Sequence, residues 1–590
     1  LGSVSCVSQN TEDEGPIVRR DSAYFEAKEI VPEYLPTGDY QYRCQDIASK
    51  GDETAIVLDY LDSSDDYSLS VKDSAVIYLD AEGEQISSIS IFDADDSFRS
   101  ISATYLQDGH LAVLCFNQAL GYYLQIISSS TDTVINQIRL PSTQSHYLSL
   151  FEYEDYWIFL TYTSMIVTDN SGQLISEFDL SSEPLDTKMF LVDGSPSIWA
   201  YSPTYEIKIV SLNIEGGLIF DITLESDDKA NWSNELYREY IVNNQGVFRK
   251  DFSSDHFIEI ADWNAIDIKP SKHIANMTKH YVLDDETIIR SVEPMVSMEN
   301  DELIFMKHRE INPHADKPVL TIGGYNVMNS DSILYAAYLY NTGDYEYRIQ
   351  LVDYWEKYGM PNDLAGMSRV RAEMISDMNS GNSEDIFFGF DFNYNVWGQA
   401  GMLEDLVPLV NNDPDFDLDD LLPSVVSVLN HNGHIYQIFP SFGFRVFVGF
   451  SDVLTATDQM TIEQAFRVGD QLSEHQRLFN NALKVDMAID AIQYNLDDFI
   501  TEDSGFSISM DELQYIVEYA ERFGTTEANI AEAMFSDPNL AYVTERLILM
   551  ETALNTPRNF YSTEQMGTSE MQVFGIPSIH DDIRPCYGYD

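Results

Sequence analysis

The amino-acid sequence predicts a multidomain chain, an N-terminal β-propeller of about six blades followed by an α/β domain. Three observations lead there. The 590 residues are too many for one hydrophobic core, so two or three domains are the natural expectation. The first half carries a strand-rich repeat of about 44 residues. Beyond residue 318 the pattern changes, and strands begin to alternate with helical runs.

The repeat is clearest in its endings. Segments 84–91, 134–140, 174–180 and 218–224 each carry an aliphatic residue, two spacers and an end in apolar–polar–apolar alternation. Each follows a turn: Glu82-Gly83, Thr131-Asp132, Ser171-Gly172 and Glu215-Gly216. A weaker copy occupies 265–268. The terminal apolar residues Ile91, Leu140, Leu180, Leu224 and Ile268 are spaced 49, 40, 44 and 44 residues apart. Between them lie β-branched and aromatic runs opened by further turns, such as Gln107-Asp108-Gly109 ahead of Leu111. Period-two alternation interrupted by frequent turns means antiparallel strands, and about four strands in such a unit describe a propeller blade. A β-solenoid or paired sandwiches are the alternatives. Five or six units fit between residues 40 and 311, and the extended stretch 24–31 is placed to complete the last one. The propeller is therefore assigned to 24–311.

Pro313 and Pro318 in a polar stretch mark a linker at 312–317, ahead of a second domain at 318–590. Val319-Leu320-Thr321-Ile322 reads as an apolar strand ending in Gly323-Gly324-Tyr325. A helix is expected over 332–339, a strand over 347–354, a helix over 367–378 and a strand over 385–390. This alternation predicts a parallel, doubly wound sheet, whose ligands sit beyond the carboxyl ends of the strands, near Gly324-Tyr325, Tyr354 and Asp391. Helical runs follow at 461–472, 485–499, 510–523 and 542–554, then a strand at 571–577.

Charge and motifs exclude several functions. With 98 acidic against 33 basic residues the net charge is −65, which repels nucleic acid and anionic membrane surfaces. A solvated acidic surface accounts for it, as does salt adaptation. The four cysteines, Cys6, Cys44, Cys115 and Cys586, form no CxxC pair, so neither a disulfide-dense scaffold nor a zinc ribbon fits. No apolar run reaches eighteen residues. There is no HExxH, GxSxG or P-loop, and no GxGxxG at a strand end. The acidic run 413–420 lacks the glycine and final glutamate of a calcium loop, having Leu418 and Ser424 there, and reads as an acidic helix start. His431 and His434 flank Asn432-Gly433 and read as residues of a hairpin turn. No metal or cofactor is expected.

Two resemblances add to this reading. Leu1-Gly2-Ser3-Val4-Ser5-Cys6 resembles the tail of a lipoprotein signal peptide, which implies a lipid on Cys6 and a disordered leader over 1–23. The run from Leu320 to Tyr325, then Asp344-Tyr345-Glu346-Tyr347-Arg348-Ile349, resembles the opening of a family 1 extracellular solute-binding protein. Asp385-Ile386-Phe387-Phe388, Gly401-Met402-Leu403-Glu404-Asp405-Leu406, the hairpin Asn432-Gly433-His434-Ile435-Tyr436 and Val573-Phe574-Gly575-Ile576-Pro577 continue it in order. Ala261-Asp262-Trp263-Asn264-Ala265-Ile266-Asp267-Ile268, just before the junction, is similar to lipoproteins of Gram-positive bacteria that carry a propeller and a binder. The resemblance runs from about residue 39 to the last residue.

It implies a periplasmic-binding-protein-like α/β domain with lobe one at about 318–440 and lobe two from about 449. Since such proteins continue further, it also implies a fragment with an incomplete second lobe and an uncovered apolar edge. The implied function is capture of a sugar or oligosaccharide for the permease subunits of an ABC transporter. The chain would be extracellular and lipid-anchored on a Gram-positive cell, with the propeller as a platform for a partner or glycan.

Carbohydrate recognition needs flat aromatic faces for the apolar side of a pyranose, and carboxylates and amides for its hydroxyls. Asp391, Asn393, Tyr394 and Trp397 supply both directly after the third strand, and the resemblance to maltose-type binders implies that this turn contacts the ligand. Tyr325 follows the first strand at the same edge. Phe442 and Phe444 lie where the chain should first cross between lobes. Phe444 stands where maltose-type relatives have a carboxylate, which argues against a maltose-like ligand. Trp355 reads equally as core. Binding without catalysis is the leading function. A propeller-based adhesion or scaffold protein is the alternative, and a propeller glycosidase or lyase built from scattered carboxylates is the third.

Overall fold

The computed structural model describes residues 3–6, 16–19, 23–33, 40–62, 71–91, 98–142, 145–180, 185–201, 207–213, 217–223, 235–243, 245–252, 256–271, 275–294, 300–359, 364–389, 394–414, 416–418, 421, 423–438, 443–450, 460–473, 476–479, 483–493, 495, 499–501, 505–525, 547–554, 571–575, 577–579 and 586–588. Contacts divide the chain into two compact units. The first comprises residues 11–322 and 326–357, the second 1–10, 323–325 and 358–590.

A short strand, β1 (Ser3–Cys6), belongs to the second unit. The first unit opens with β2 (Tyr24–Ile30) and then builds four-stranded antiparallel sheets in series. Sheet one is β3 (Tyr40–Lys50), β4 (Glu53–Asp62), β5 (Val71–Leu79) and β6 (Gln85–Ser90). Sheet two is β7 (Arg99–Tyr105), β8 (Leu111–Asn117), β9 (Gly121–Ile127) and β10 (Val134–Arg139). Sheet three is β11 (Tyr147–Tyr153), β12 (Tyr156–Thr161), β13 (Ser164–Asp169) and β14 (Leu174–Asp179). Sheet four is β15 (Leu185–Val192), β16 (Ser195–Tyr201), β17 (Ile207–Asn213) and β18 (Gly217–Thr223). Sheet five is β19 (Glu235–Tyr237), β20 (Tyr240–Val242), β21 (Gly246–Lys250) and β22 (Phe257–Asp262). Sheet six is β23 (Ala275–Asp284), β24 (Thr287–Pro294) and β25 (Glu302–Arg309), completed by β2, which pairs antiparallel with β25 from Tyr24↔Arg309 to Ile30↔Leu303.

The repeat endings are the fourth strands. Strands such as β4, β8 and β12 hold runs of buried aliphatics, because both faces meet neighbouring sheets. The fourth strands β6, β10 and β14 expose alternate or most side chains, Ile86, Ile135 and Ile175 among them. The weak fifth copy at 265–268 departs from the expectation. It lies beyond β22, after the 3-10 turn Trp263–Ala265, and its polar groups are used for packing described below.

Buried carboxylates tie one sheet to the next. Asp46 on β3 accepts from Ser102 Oγ (2.7 Å) and Ala103 N (2.8 Å) on β7 and pairs with Lys188 on β15. Asp59 on β4 accepts from the Ser74 and Ser100 hydroxyls. Asp301 accepts from Cys44 N (2.7 Å) and Arg43 Nη1 (3.1 Å), joining sheet six to sheet one. Gly83 seals the same seam. Its φ is 75°, and a Cβ there would stand 2.7 Å from the Phe305 ring of β25. The first strands β3, β7, β11, β15, β19 and β23 touch in succession, and β23 touches β3.

The stretch 312–317 is not a free linker. Asn312 and His314 are buried, Asn312 Oδ1 accepts from His314 N (2.9 Å), and Val18 N donates to Lys317 O (3.0 Å). Residues 16–19, expected in a disordered leader, are therefore hydrogen-bonded to it. The two prolines lack donors, but the intervening amides have partners. The chain continues through β26 (Val319–Gly324), α1 (Asp331–Thr342), β27 (Arg348–Asp353) and α2 (Tyr354–Tyr358), and β26 lies beside β27. Residues 326–357 thus group with the sheets, not with the chain beyond them.

In the second unit α3 (Leu364–Ser380) precedes β28 (Ile386–Gly389), which pairs antiparallel with β1, Ser3↔Gly389 to Cys6↔Ile386. Cys6, expected to carry a lipid, is thus placed in β1. Short helices follow: α4 (Tyr394–Gln399), α5 (Val407–Asn412) and α6 (Pro423–Leu429). The hairpin turn at Asn432-Gly433 is present, with φ of 54° and 90° and a His431↔His434 bridge. Strand β29 (Gly443–Phe450) is followed by α7 (Ile462–Gly469), α8 (Lys484–Gln493), the two-residue strands β30 (Ile500–Thr501) and β31 (Gly505–Phe506), α9 (Met510–Phe523), β32 (Met550–Leu554), β33 (Met571–Phe574) and β34 (Cys586–Gly588). β29 is the centre of a sheet with β32, β33 and β34, all antiparallel to it.

Capping boxes start α7 (Thr461, Gln464) and α9 (Ser509, Glu512), and Phe479 packs against Phe447, Tyr519 and Phe523 in their core. Val485 and Ile489 on α8 and Val517 on α9 are exposed. The helix expected over 542–554 is instead strand at its end. Met550 to Leu554 pair with β29, and sheet pairing overrides the helix propensity of Met, Glu, Ala and Leu.

Burial raises the Asp59 carboxyl to about 6, against the hydrogen bonds from Ser100 and Ser74. A raised carboxyl stabilises the fold fully below the usual carboxylate range, and that contribution is lost as pH rises through about 6. Between pH 4 and 7.5 the unfolding free energy of Asp59→Asn should therefore move in the variant's favour by about 2 kcal/mol relative to the parent chain, in urea titrations. A difference that stays constant with pH would show that Asp59 titrates normally.

Candidate ligand site

The first unit holds a cleft of about 370 Å³ at the end of its sheet series. Its floor begins at the turn after β22. Asp262 caps that turn by accepting from Asn264 N (2.8 Å), and Trp263 Nε1 donates to Asn243 O (2.7 Å), which sets the indole. The His280 ring on β23 lies 5.3 Å from the Trp263 ring at 30°. Trp263 and His280 together present a half-buried aromatic pair.

One wall is carried by β27, held through side-chain amides. Asn264 gives and takes one hydrogen bond each with Leu351, Nδ2 to O at 3.1 Å and N to Oδ1 at 2.8 Å. Asn341 of α1 does the same with Ile349, at 3.0 and 2.8 Å. Residues 349 and 351 point their backbone groups the same way, so two amides cap consecutive open positions of the strand. Arg348, 2% exposed, donates to Asp267 Oδ1 (3.0 Å) and through Nη2 to Asn264 O (2.6 Å). The other Asp267 oxygen meets His314 Nε2 at 2.6 Å. Burial works to raise the Asp267 carboxyl, but the His314 hydrogen bond and the Arg348 charge outweigh it and hold it below the usual carboxylate range. Leu334 and Tyr338 of α1, with Asp331 at its start, line the same wall.

The opposite wall is one face of sheet six. Thr278 and His280 on β23 stand opposite Val292 and Arg290 on β24, and all four line the cleft. Arg290 is unusual: its side chain is half-buried, its Nε is buried, and its guanidinium has no hydrogen bond or ion pair among the described residues. Burial lowers its pKa, opposed by the charges of Glu302 and Asp331.

The sequence pointed to other residues first. Tyr394 and Trp397 are brought together on α4, rings 6.2 Å apart, but they are 2% and 7% exposed. Tyr394 Oη donates to Gly389 O (2.8 Å), and Trp397 packs on Phe387 (5.8 Å). Gly398 lies so close to the Tyr436 ring that a Cβ would enter it, so α4 is seated by packing and offers no open aromatic face. Tyr325 is half-buried in the turn after β26. Asp391, Asn393 and Phe442 lie outside the described residues. Phe444 is in β29, opposite Leu554 and Tyr587. Trp355 is half-buried, its N–H donating to Asp353 (2.9 Å). Of the cleft residues, Trp263, Asn264 and Asp267 lie in a segment the sequence singled out. An isolated strand residue such as Arg290 carries no such signal.

Among the described residues no group of three or more His, Cys, Asp and Glu is placed to hold a metal, and no helix is long and apolar enough to cross a membrane. No family model matches the chain, and neither does any curated protein. Three of the solved structures it is similar to are solute- or sugar-binding proteins. One is an ABC substrate-binding protein from Listeria monocytogenes in complex with cycloalternan, at 12% identity over 46% of this chain and 69% of that one, with a TM-score of 0.32. Another is the sugar-binding protein MalE from Xanthomonas citri, at 10%, 46%, 69% and 0.32. The third is an ABC transporter solute-binding protein from Thermotoga lettingae bound with α-D-tagatose, at 11%, 46%, 69% and 0.28. At these scores the likeness decides neither the fold nor the ligand.

Asp267→Ala strips the buried Arg348 of its carboxylate and should lower the unfolding free energy by about 3 kcal/mol in urea titrations near pH 7. The sign with pH is opposite to that of Asp59: the stabilisation is present above the usual carboxylate range and is lost as pH falls through the lowered value. A loss under 1 kcal/mol at neutral pH would mean that Arg348 is satisfied without it.

Proposed function

We propose that this chain captures a sugar or oligosaccharide and does not alter it. The observation that carries the reading is the cleft beside sheet six. It combines a Trp263–His280 aromatic pair with the Tyr338 and Thr278 hydroxyls, the Asn243 amide and the Arg290 guanidinium. Aromatic faces take the apolar side of a sugar ring, and convergent polar groups take its hydroxyls.

The six sheets are read as a closed six-bladed propeller. Support comes from β2 completing sheet six and from the succession of first-strand contacts that returns from β23 to β3. The sequence resemblance supports a wider reading: an extracellular solute-binding lipoprotein, anchored through Cys6 on a Gram-positive cell, that delivers its ligand to ABC permease subunits. The sheet series would then be the recognition platform of a transport protein.

A glycan array followed by calorimetry on the full chain tests the reading. Trp263→Ala should weaken the best glycan at least about tenfold in a chain that still folds by circular dichroism, as stacking of one ring predicts. Unchanged binding removes the cleft as the site, and release of product from bound glycan makes the chain an enzyme.

A further inference from the structure

We propose that the saccharide taken by this cleft is acidic, and that Arg290 receives its carboxylate. The proposal rests on the sugar-binding reading and deepens it. Its ground is a local mismatch. The chain has 98 carboxylate residues for 33 lysines and arginines, so partners for a guanidinium are abundant. Arg348, at the other wall, is fully engaged by Asp267 and the Asn264 carbonyl. Arg290 nevertheless lines the cleft with no ion pair or hydrogen bond among the described residues, and its Nε is shut away from solvent. A buried donor without an acceptor is costly, and more so on a charged group.

Its position on β24 is held by the strand itself. The Arg290 backbone is in register with His280 on one side and Ile304 on the other, so the side chain emerges on the cleft face between two ladder pairs. A carboxylate offers the acceptor pair that fits the guanidinium fork, and charge-assisted bonds of this type are about twice as strong as neutral ones. The Trp263 ring is set by its bond to Asn243 O and lines the same cleft. A ring to stack on and a fork for a carboxylate suit a uronic acid, alone or in a disaccharide. A volume of about 370 Å³ matches that size. The negative charge of the rest of the chain repels such a ligand, which makes the Arg290 guanidinium the local reason for it to bind.

The test titrates the full chain with D-glucuronate, its methyl ester and D-glucose by calorimetry. The acid should bind at least about tenfold more tightly than the ester or glucose. Arg290→Gln should erase that preference, and Arg290→Lys should keep part of it. If Arg290→Gln does not fold, as judged by circular dichroism, the acid-to-ester ratio of the parent chain and Arg290→Lys decide. Equal binding of acid and ester, or a preference that survives Arg290→Gln, overturns the proposal. Equal binding of all three that is lost in Trp263→Ala sinks the acidic ligand alone and leaves the sugar reading standing. No binding of any of the three to the parent chain overturns the acidic ligand, while the glycan array decides the sugar reading.

Discussion

The pairing of β2 with β25 is the constraint on which the first unit depends. Residues 24–30 complete a sheet whose other strands end near residue 309, so the last sheet is built from both ends of this stretch of chain. The closing contacts have to be made across nearly the whole unit, and the entropy of closing so long a loop is met only once the intervening sheets have formed. The seam is reinforced by unlike means: the Asp301 carboxylate on Arg43 and Cys44, the close approach of Gly83 to Phe305, and Arg309 reaching Glu26 and Glu82. Buried carboxylates do the same inside the series, with Asp46 and Asp59 crossing from sheet one to sheet two.

The cleft follows from a second device. β27 has open backbone positions beside the sheets, and the turn after β22 and helix α1 cap them with Asn264 and Asn341. Arg348 and Asp267 lock that arrangement, with His314 as the third member. The result places three successive chain segments around one cavity, one bringing an aromatic ring, one an arginine and one a helix start. Because the cavity walls are strands held by ladders and amide clamps, the groups facing it are set before any ligand arrives.

Much of this was legible in the residues, and the exceptions have physical causes. Turn pairs and alternation located the strands of sheets one to four, since both signals are local. The copy at 265–268 misled because alternation alone does not distinguish an outer strand from an apolar turn packed on another element. The helix expected to Leu554 failed because β29 offers a pairing partner that intrinsic preference does not anticipate. Tyr394 and Trp397 carry the composition of a sugar site, yet both are buried, and Phe387 packs edge-on against Trp397.

The sequence by itself determined the strand repeat, the onset of alternating helices past residue 318, the extreme acidity and the absence of metal and nucleotide motifs. These are properties of short windows or of the whole composition, and local physics suffices to read them. Only the tertiary structure decided that residues 326–357 group with the sheets, that Asp267 belongs to Arg348, and that Arg290 has no hydrogen-bond or ion-pair partner among the described residues. Each of those depends on which distant groups meet. Burial and pairing between residues distant in the chain are set by the packed fold and not by any neighbour in the chain.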